Sequence, residues 1–159
     1  MARNVAHFSV PPERVFAVLS DPESYGSWVV GSKYIRGADP GFPAPGTRFH
    51  HAVGFGPLTV KDHTTVLESS PPNRLVLKAK ARPLGTAKVI MEIQPEGSGS
   101  RVTMVEDPGD TLTKFVFNPL THGLVRGRNV ESLQRLKRLA EERPDIGRDV
   151  DVPKGKIEP

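Results

Sequence analysis

Residues 47–67, TRFHHAVGFGPLTVKDHTTVL, alternate apolar and polar side chains on both sides of a glycine-proline turn. Period-two alternation marks strands with one face buried and the other in water. Whether the turn is Gly56-Pro57 or the longer Gly54-to-Pro57, the parity comes out the same. Phe49, His51, Val53 and Phe55 share a face with Leu58, Val60, Asp62, Thr64 and Val66, and the opposite face collects Arg48, His50, Lys61 and His63. The stretch predicts two antiparallel strands, Thr47–Phe55 and Leu58–Leu67, with a histidine and an aspartate on the apolar side. One β-bulge would turn His50 and His63 inward in their place.

The pattern continues outward in both directions. Downstream, Arg74–Arg82 puts Leu75, Leu77, Ala79 and Ala81 on one face, Thr86–Gln94 does so with Ala87, Val89, Met91 and Ile93, and Arg101–Glu106 with Val102, Met104 and Glu106. Upstream lie Lys33–Gly37 and, at the N-terminus, Val5–Val10 with Ala6, Phe8 and Val10 on one side. Turn formers fill the gaps, as in an antiparallel meander. Two short helices fall between the first two strands: Glu13–Ser20, opened by Pro11-Pro12, and Glu23–Val29, whose Tyr25 and Trp28 read as core anchors. A long helix starts at Asn118 as N-cap with Pro119 in the first turn, runs to Glu142, and is stopped by Pro144. Around it, Val125, Leu133, Leu136, Leu139 and Ala140 centre on one direction, with His122 and Asn129 within about 40° of it. Arg128, Arg135, Arg138 and Glu131 fall on the opposite, solvated side, and Gly123 and Gly127 lie on a flank.

With 159 residues and 36% apolar content, the chain has material for one domain, over residues 1–142. Residues 143–159 carry four positive and four negative side chains and few apolar ones, and read as a mobile polar tail. The absence of cysteine excludes disulfides, thiolate metal sites and thiol nucleophiles. The formal charge of +4 is spread over Lys61, Lys78, Lys80, Arg82 and Lys88, which alternate with apolar residues and have no interleaved aromatics, so no nucleic-acid partner is expected. Met1–Val10 lacks the apolar run of a signal peptide and no stretch has membrane-spanning length, which makes a cytoplasmic location without membrane insertion the expectation.

Three local sequences carry a resemblance: FSVPPERVF at 8–16, LSDPESY at 19–25 followed by Trp28, and ESSPPNRL at 68–75. With the order of elements, they resemble the START-like, polyketide cyclase/dehydrase (SRPBCC) superfamily over roughly residues 3–142. The resemblance implies an α+β helix-grip (START/Bet v-like) fold, a curved antiparallel sheet of about seven strands wrapped around the C-terminal helix with an apolar cavity between. It specifies fold better than function, because the superfamily includes lipid carriers, hormone- and allergen-type binders, aromatase/cyclases and chaperone-activating domains.

Parity and the helical wheel supply the expected lining. Phe49, Val53, Phe55, Val60 and Thr64 come from the hairpin, Leu77, Ala79, Val89, Met91, Met104 and Glu106 from the later strands, and His122, Val125, Asn129 and Leu133 from the helix. Such a wall, with a few converging polar groups, suits a small hydrophobic molecule such as a lipid, polyketide or aromatic metabolite. That is the leading reading. The alternative is a cofactor-free aromatase/cyclase or dehydratase in which His51 and Asp62 form an acid/base pair. A plainer account has the two merely hydrogen-bonding one another, or water, to satisfy buried polar groups, and a third reading is an interaction module whose interior is only a packed core. No cofactor or metal is expected: His50 and His51 point to opposite faces, and His51, Asp62 and Glu106 show no recognised ligand spacing. There is neither a phosphate loop nor a G-x-S-x-G elbow.

Overall fold

β3 (Arg48–Val53) and β4 (Val60–Ser70) pair antiparallel in unbroken register, with Phe49 opposite Thr64, His50 opposite His63 and His51 opposite Asp62. No bulge falls between these pairs, so the parity set by the alternation survives. The computed structural model describes residues 1–54, 57–80, 85–108 and 119–143. On one side of the hairpin β2 (Ser32–Ala38) pairs with β3, and on the other β5 (Arg74–Lys80), β6 (Thr86–Glu96) and β7 (Gly99–Pro108) follow. β1 (Ala2–Phe8) completes an antiparallel sheet of order β1-β7-β6-β5-β4-β3-β2. Register breaks occur twice in β2, between Ser32 and Tyr34 and between Ile35 and Gly37, and once in β4, between Val66 and Glu68. An extra residue on one strand bends it and sharpens the local twist, which suits a sheet that must curve around a helix.

α1 (Pro12–Leu19) starts with a proline in the first turn, where no backbone donor is needed, and buries Val15, Phe16, Val18 and Leu19. Asp21 accepts a hydrogen bond from the Glu23 N–H and opens a 3-10 turn, Pro22–Ser24, that leads into α2 (Tyr25–Trp28). The Tyr25 hydroxyl donates to the Leu19 carbonyl at 2.8 Å, and its ring lies 4.5 Å from Phe49 and 5.0 Å from Trp28. Phe42, from the loop before β3, completes this aromatic cluster. α3 (Pro119–Glu142) lays Leu133, Leu136 and Ala140 against the sheet and the two short helices. Its C-terminal end is tied down by Arg14, whose Nε donates to the Ala140 carbonyl at 3.1 Å and whose Nη2 reaches the Arg143 carbonyl. A cation there also complements the helix dipole.

Several boundaries differ from the sequence expectation. β1 starts at Ala2 rather than Val5, because Ala2 and Asn4 find partners in Glu106 and Met104 of β7. Leu58, expected to face inward, precedes the first residue of β4 and is 67% exposed. Leu67 is the extra residue at the β4 bulge and lies exposed. Phe55, Asn118 and the tail beyond Arg143 lie outside the described residues.

Candidate functional site

The concave face of the sheet is a set of side-chain rows running across the strands. Ile93 and Val102 form one, followed by Leu75, Met91, Met104 and Asn4, then Val66, Leu77, Val89, Glu106 and Ala2. Phe49, Thr64, Ala79 and Ala87 form the next, and His51 with Asp62 lies beyond it. Burial is uneven along this series, with Phe49, Thr64, His51 and Asp62 buried at its far end. Leu75, Met91, Ile93 and Val102 are wholly covered, whereas Val53, Val60, Ala79, Ala87 and Val89 are only half-buried. α3 shows the same contrast, with Leu133 and Leu136 covered and Val125 half-buried. The interior thus has a closed half and an accessible half. Of the expected lining residues, Phe49, Met91 and Leu133 belong to the closed packing, while Val53, Val60, Ala79, Val89 and Val125 border the accessible side. Thr64, Leu77 and Met104 are buried between them. The side chain of His122 lies outside the described set, although its backbone is helical.

Polar groups gather at two places. At the β3–β4 end, His51 is 5% exposed and Asp62 2%, directly opposite each other. His51 Nε2 lies 3.0 Å from Thr64 Oγ1, and Nδ1 is buried with no hydrogen-bond partner. Asp62 Oδ1 accepts from the His63 N–H at 3.0 Å and sits 3.6 Å from His63 Nδ1. Of the His51 ring nitrogens, one is at Thr64 and the other has no protein partner, so no hydrogen bond is recorded between the imidazole and Asp62. Burial pushes the His51 pKa below its ordinary 6.5, opposed by the nearby Asp62 carboxylate, so the ring is neutral at pH 7. Arg36 was not foreseen. It falls at the second break in β2, and its guanidinium donates to the His51 carbonyl from Nε at 3.4 Å and to the Asp62 carbonyl from Nη2 at 3.2 Å. His50 points to the opposite face, as its parity requires, 3.8 Å from Asp39 Oδ1.

The second gathering lies at the β7–β1 end, under α3. Glu106 is buried, and both its oxygens accept from Arg128 Nη2, at 2.6 and 2.5 Å. Arg128 is exposed, as its solvated side of the helix implies, with 41% of the side chain accessible, yet its guanidinium reaches back to Glu106. The wheel gives the direction of Cβ, but a long side chain can double back while its stem stays wet. A buried carboxylate without a partner costs several kcal/mol, so Glu106 holds the guanidinium. The same Nη2 lies 3.4 Å from Asn129 Oδ1, and Asn129 Nδ2, wholly buried, has no partner. Asn4 Nδ2 donates to the Arg126 carbonyl at 3.5 Å, while its buried Oδ1 is likewise unpartnered. Asn4 stands one residue before the alternation at Val5–Val10 and so lies outside the strand that the sequence predicts. Glu106 is thus committed to Arg128, four strands away from His51 in the sheet order. Among the described residues no three His, Asp or Glu side chains are arranged to hold a metal ion.

Chemically, the accessible half offers apolar walls and uncharged polar atoms without partners at two ends. That is the composition of a site for a small, mostly apolar molecule. A neutral imidazole beside a carboxylate is also a competent proton acceptor. No described helix is long and apolar enough to cross a membrane.

The same architecture recurs in solved structures. Protein NE0264 of Nitrosomonas europaea superposes with a TM-score of 0.67 at 20% identity, covering 87% of this chain and 92% of that one. A protein from Arthrobacter aurescens gives 0.69 at 14% identity, over 99% and 92% of the two chains. Ara h 8.0201, which is Bet v 1-like, gives 0.65 at 11% identity, over 87% and 95%. At such identities the likeness is one of fold. No curated protein matches in sequence. The sequence model described as "Polyketide cyclase / dehydrase and lipid transport" matches residues 2–141, nearly the whole chain, and a family of this kind suggests hydrophobic ligand binding. The curved seven-stranded sheet, the long C-terminal helix and this match together identify the chain as a member of the polyketide cyclase/dehydrase and lipid transport family, of the SRPBCC type with a helix-grip fold.

Proposed function

We propose that the protein binds a small hydrophobic molecule, a lipid, polyketide or aromatic metabolite, in the accessible half of the interior between the sheet and α3. The observation that carries this reading is the Nδ1 atom of His51, a buried polar atom without a partner beside half-buried Val53, Val60 and Ala79. An unsatisfied buried polar group costs about 1–3 kcal/mol. A ligand hydroxyl or carbonyl set against that nitrogen removes the cost, while its apolar body covers the half-exposed side chains. Native mass spectrometry of gently purified protein tests this. A discrete small-molecule adduct is expected on the wild type and is lost in Ala79→Trp, which fills the space. An adduct that survives Ala79→Trp, or a wild type that takes up nothing from a total lipid extract, contradicts the reading.

A second reading is favoured by one specific observation, the neutral imidazole of His51 facing the Asp62 carboxylate across the strand pair. In a cyclisation or dehydration, His51 would take the proton beside a substrate carbonyl, Asp62 would stabilise the resulting imidazolium, and the imidazolium would return that proton to the alkoxide formed as the ring closes or to the hydroxyl that leaves as water. Turnover that disappears in His51→Ala and Asp62→Ala while the ligand still binds supports the enzyme. Turnover that persists in both variants removes the pair from any catalytic role.

A further inference from the structure

Among the described residues, Trp28 Nε1, Ser32 Oγ, His51 Nδ1, Asn4 Oδ1 and Asn129 Nδ2 are buried without a partner, and the last three fall at two ends of the sheet. His51 lies on β3, whereas Asn4 is on β1 and Asn129 on α3, next to Glu106 of β7. Between them β5 and β6 present only Leu77, Ala79, Ala87 and Val89 inward along the intervening rows. From β3 to β7 is four strand steps, about 19 Å of arc at roughly 4.8 Å each. At the far end, Asn129 Nδ2 is a donor and Asn4 Oδ1 an acceptor, both more than nine-tenths buried and both without partners. A hydroxyl both donates and accepts, and so complements such a pair. Charge is already balanced there, because Glu106 accepts two hydrogen bonds from Arg128.

We infer that Asn129 and Asn4 form a second polar anchor for the ligand, so that the site selects an elongated, uncharged, mostly apolar molecule oxygenated at both ends. This rests on the ligand-binding reading above and adds the chemical class of the ligand. Without a second anchor, an extra hydroxyl carried into an apolar interior weakens binding, since its lost hydration goes unrepaid. With one, it strengthens binding, so the sign of the difference decides.

The test is calorimetric titration of the full chain with dodecanol and with the dodecanediol that has a hydroxyl at each end. The diol is expected to bind about tenfold more tightly than dodecanol, the worth of one or two well-made hydrogen bonds. In Asn129→Leu, and separately in Asn4→Val, that preference disappears or reverses; two variants on different elements guard against one failing to fold. Equal or weaker binding of the diol to the wild type overturns the inference while leaving the ligand-binding reading intact, as does a preference that survives both substitutions. If the wild type binds neither alcohol, the ligand-binding reading fails and this inference fails with it.

Discussion

The two halves of the interior are built from the same strands yet packed to different ends. In the closed half, Leu75, Met91, Ile93 and Val102 meet Leu133, Leu136 and the aromatic cluster of Tyr25, Trp28, Phe42 and Phe49, and apolar surface is covered on all sides. In the accessible half the inward positions shrink to Ala79, Ala87, Val53, Val60 and Val89, which stay half-buried, and the polar groups His51, Asp62, Thr64, Glu106 and Asn129 appear. Unpaired buried polar atoms occur in both halves, Trp28 Nε1 in the closed one as well as His51 Nδ1 and Asn129 Nδ2 in the other, so the difference lies in the small, half-buried side chains. The contrast shows where the fold is held and where it is left open to something else.

If that contrast is real, substitutions in the two halves separate cleanly. Leu136→Ala, in the closed half, is expected to cost about 3 kcal/mol in urea unfolding, because a wholly covered side chain leaves a cavity. Val89→Ala should cost about 1 kcal/mol or less, since part of its surface is already exposed. Equal losses would break the distinction. Arg128→Ala is expected to cost about 1–3 kcal/mol, less than for a fully buried pair because the Arg128 side chain is 41% exposed. Combining it with Glu106→Gln should recover most of the loss, which an ion pair of no consequence would not do. Ala79→Leu should change stability by about 1 kcal/mol or less while abolishing ligand uptake; uptake that persists would place the ligand elsewhere.

The smallest effect is one of pH. The folded-state pKa of His51 is lowered, so the unfolded chain takes up its proton first. Its contribution is absent well above about 6.5, and stability falls as the pH drops below that ordinary value toward the folded pKa. His63 is shifted the same way by burial. His51→Gln should therefore flatten, without abolishing, the decline in urea midpoint between about pH 7.5 and about pH 5.5. An unchanged profile would mean that the imidazole is not held neutral.

Parity decides the hairpin because β3 and β4 are in unbroken register, so that alternation alone puts His51, Asp62 and Thr64 on one face. Where geometry departs from simple alternation, the sequence carries no signal of it. Leu67 turns out at a bulge, and Leu58 precedes its strand. A helical wheel ranks directions of Cβ and ignores reach, so it puts Arg128 toward solvent, where much of it lies, without showing that the guanidinium returns to Glu106. Arg36 acts from a bulge position, and Phe42 packs from a loop without periodicity. Asn4 was legible in principle. Extending the first strand by three residues puts Ala2 and Asn4 in phase with Ala6 and Phe8.

The most direct test of the central claim, that the accessible half is the ligand site, is methyl chemical-shift mapping by NMR during titration with dodecanol. The account predicts shifts concentrated at Ala79, Ala87, Val89, Leu77 and Val125, with Leu75, Ile93, Val102 and Leu136 left in place. Shifts centred on the closed half, or no saturable shifts at all, would contradict it.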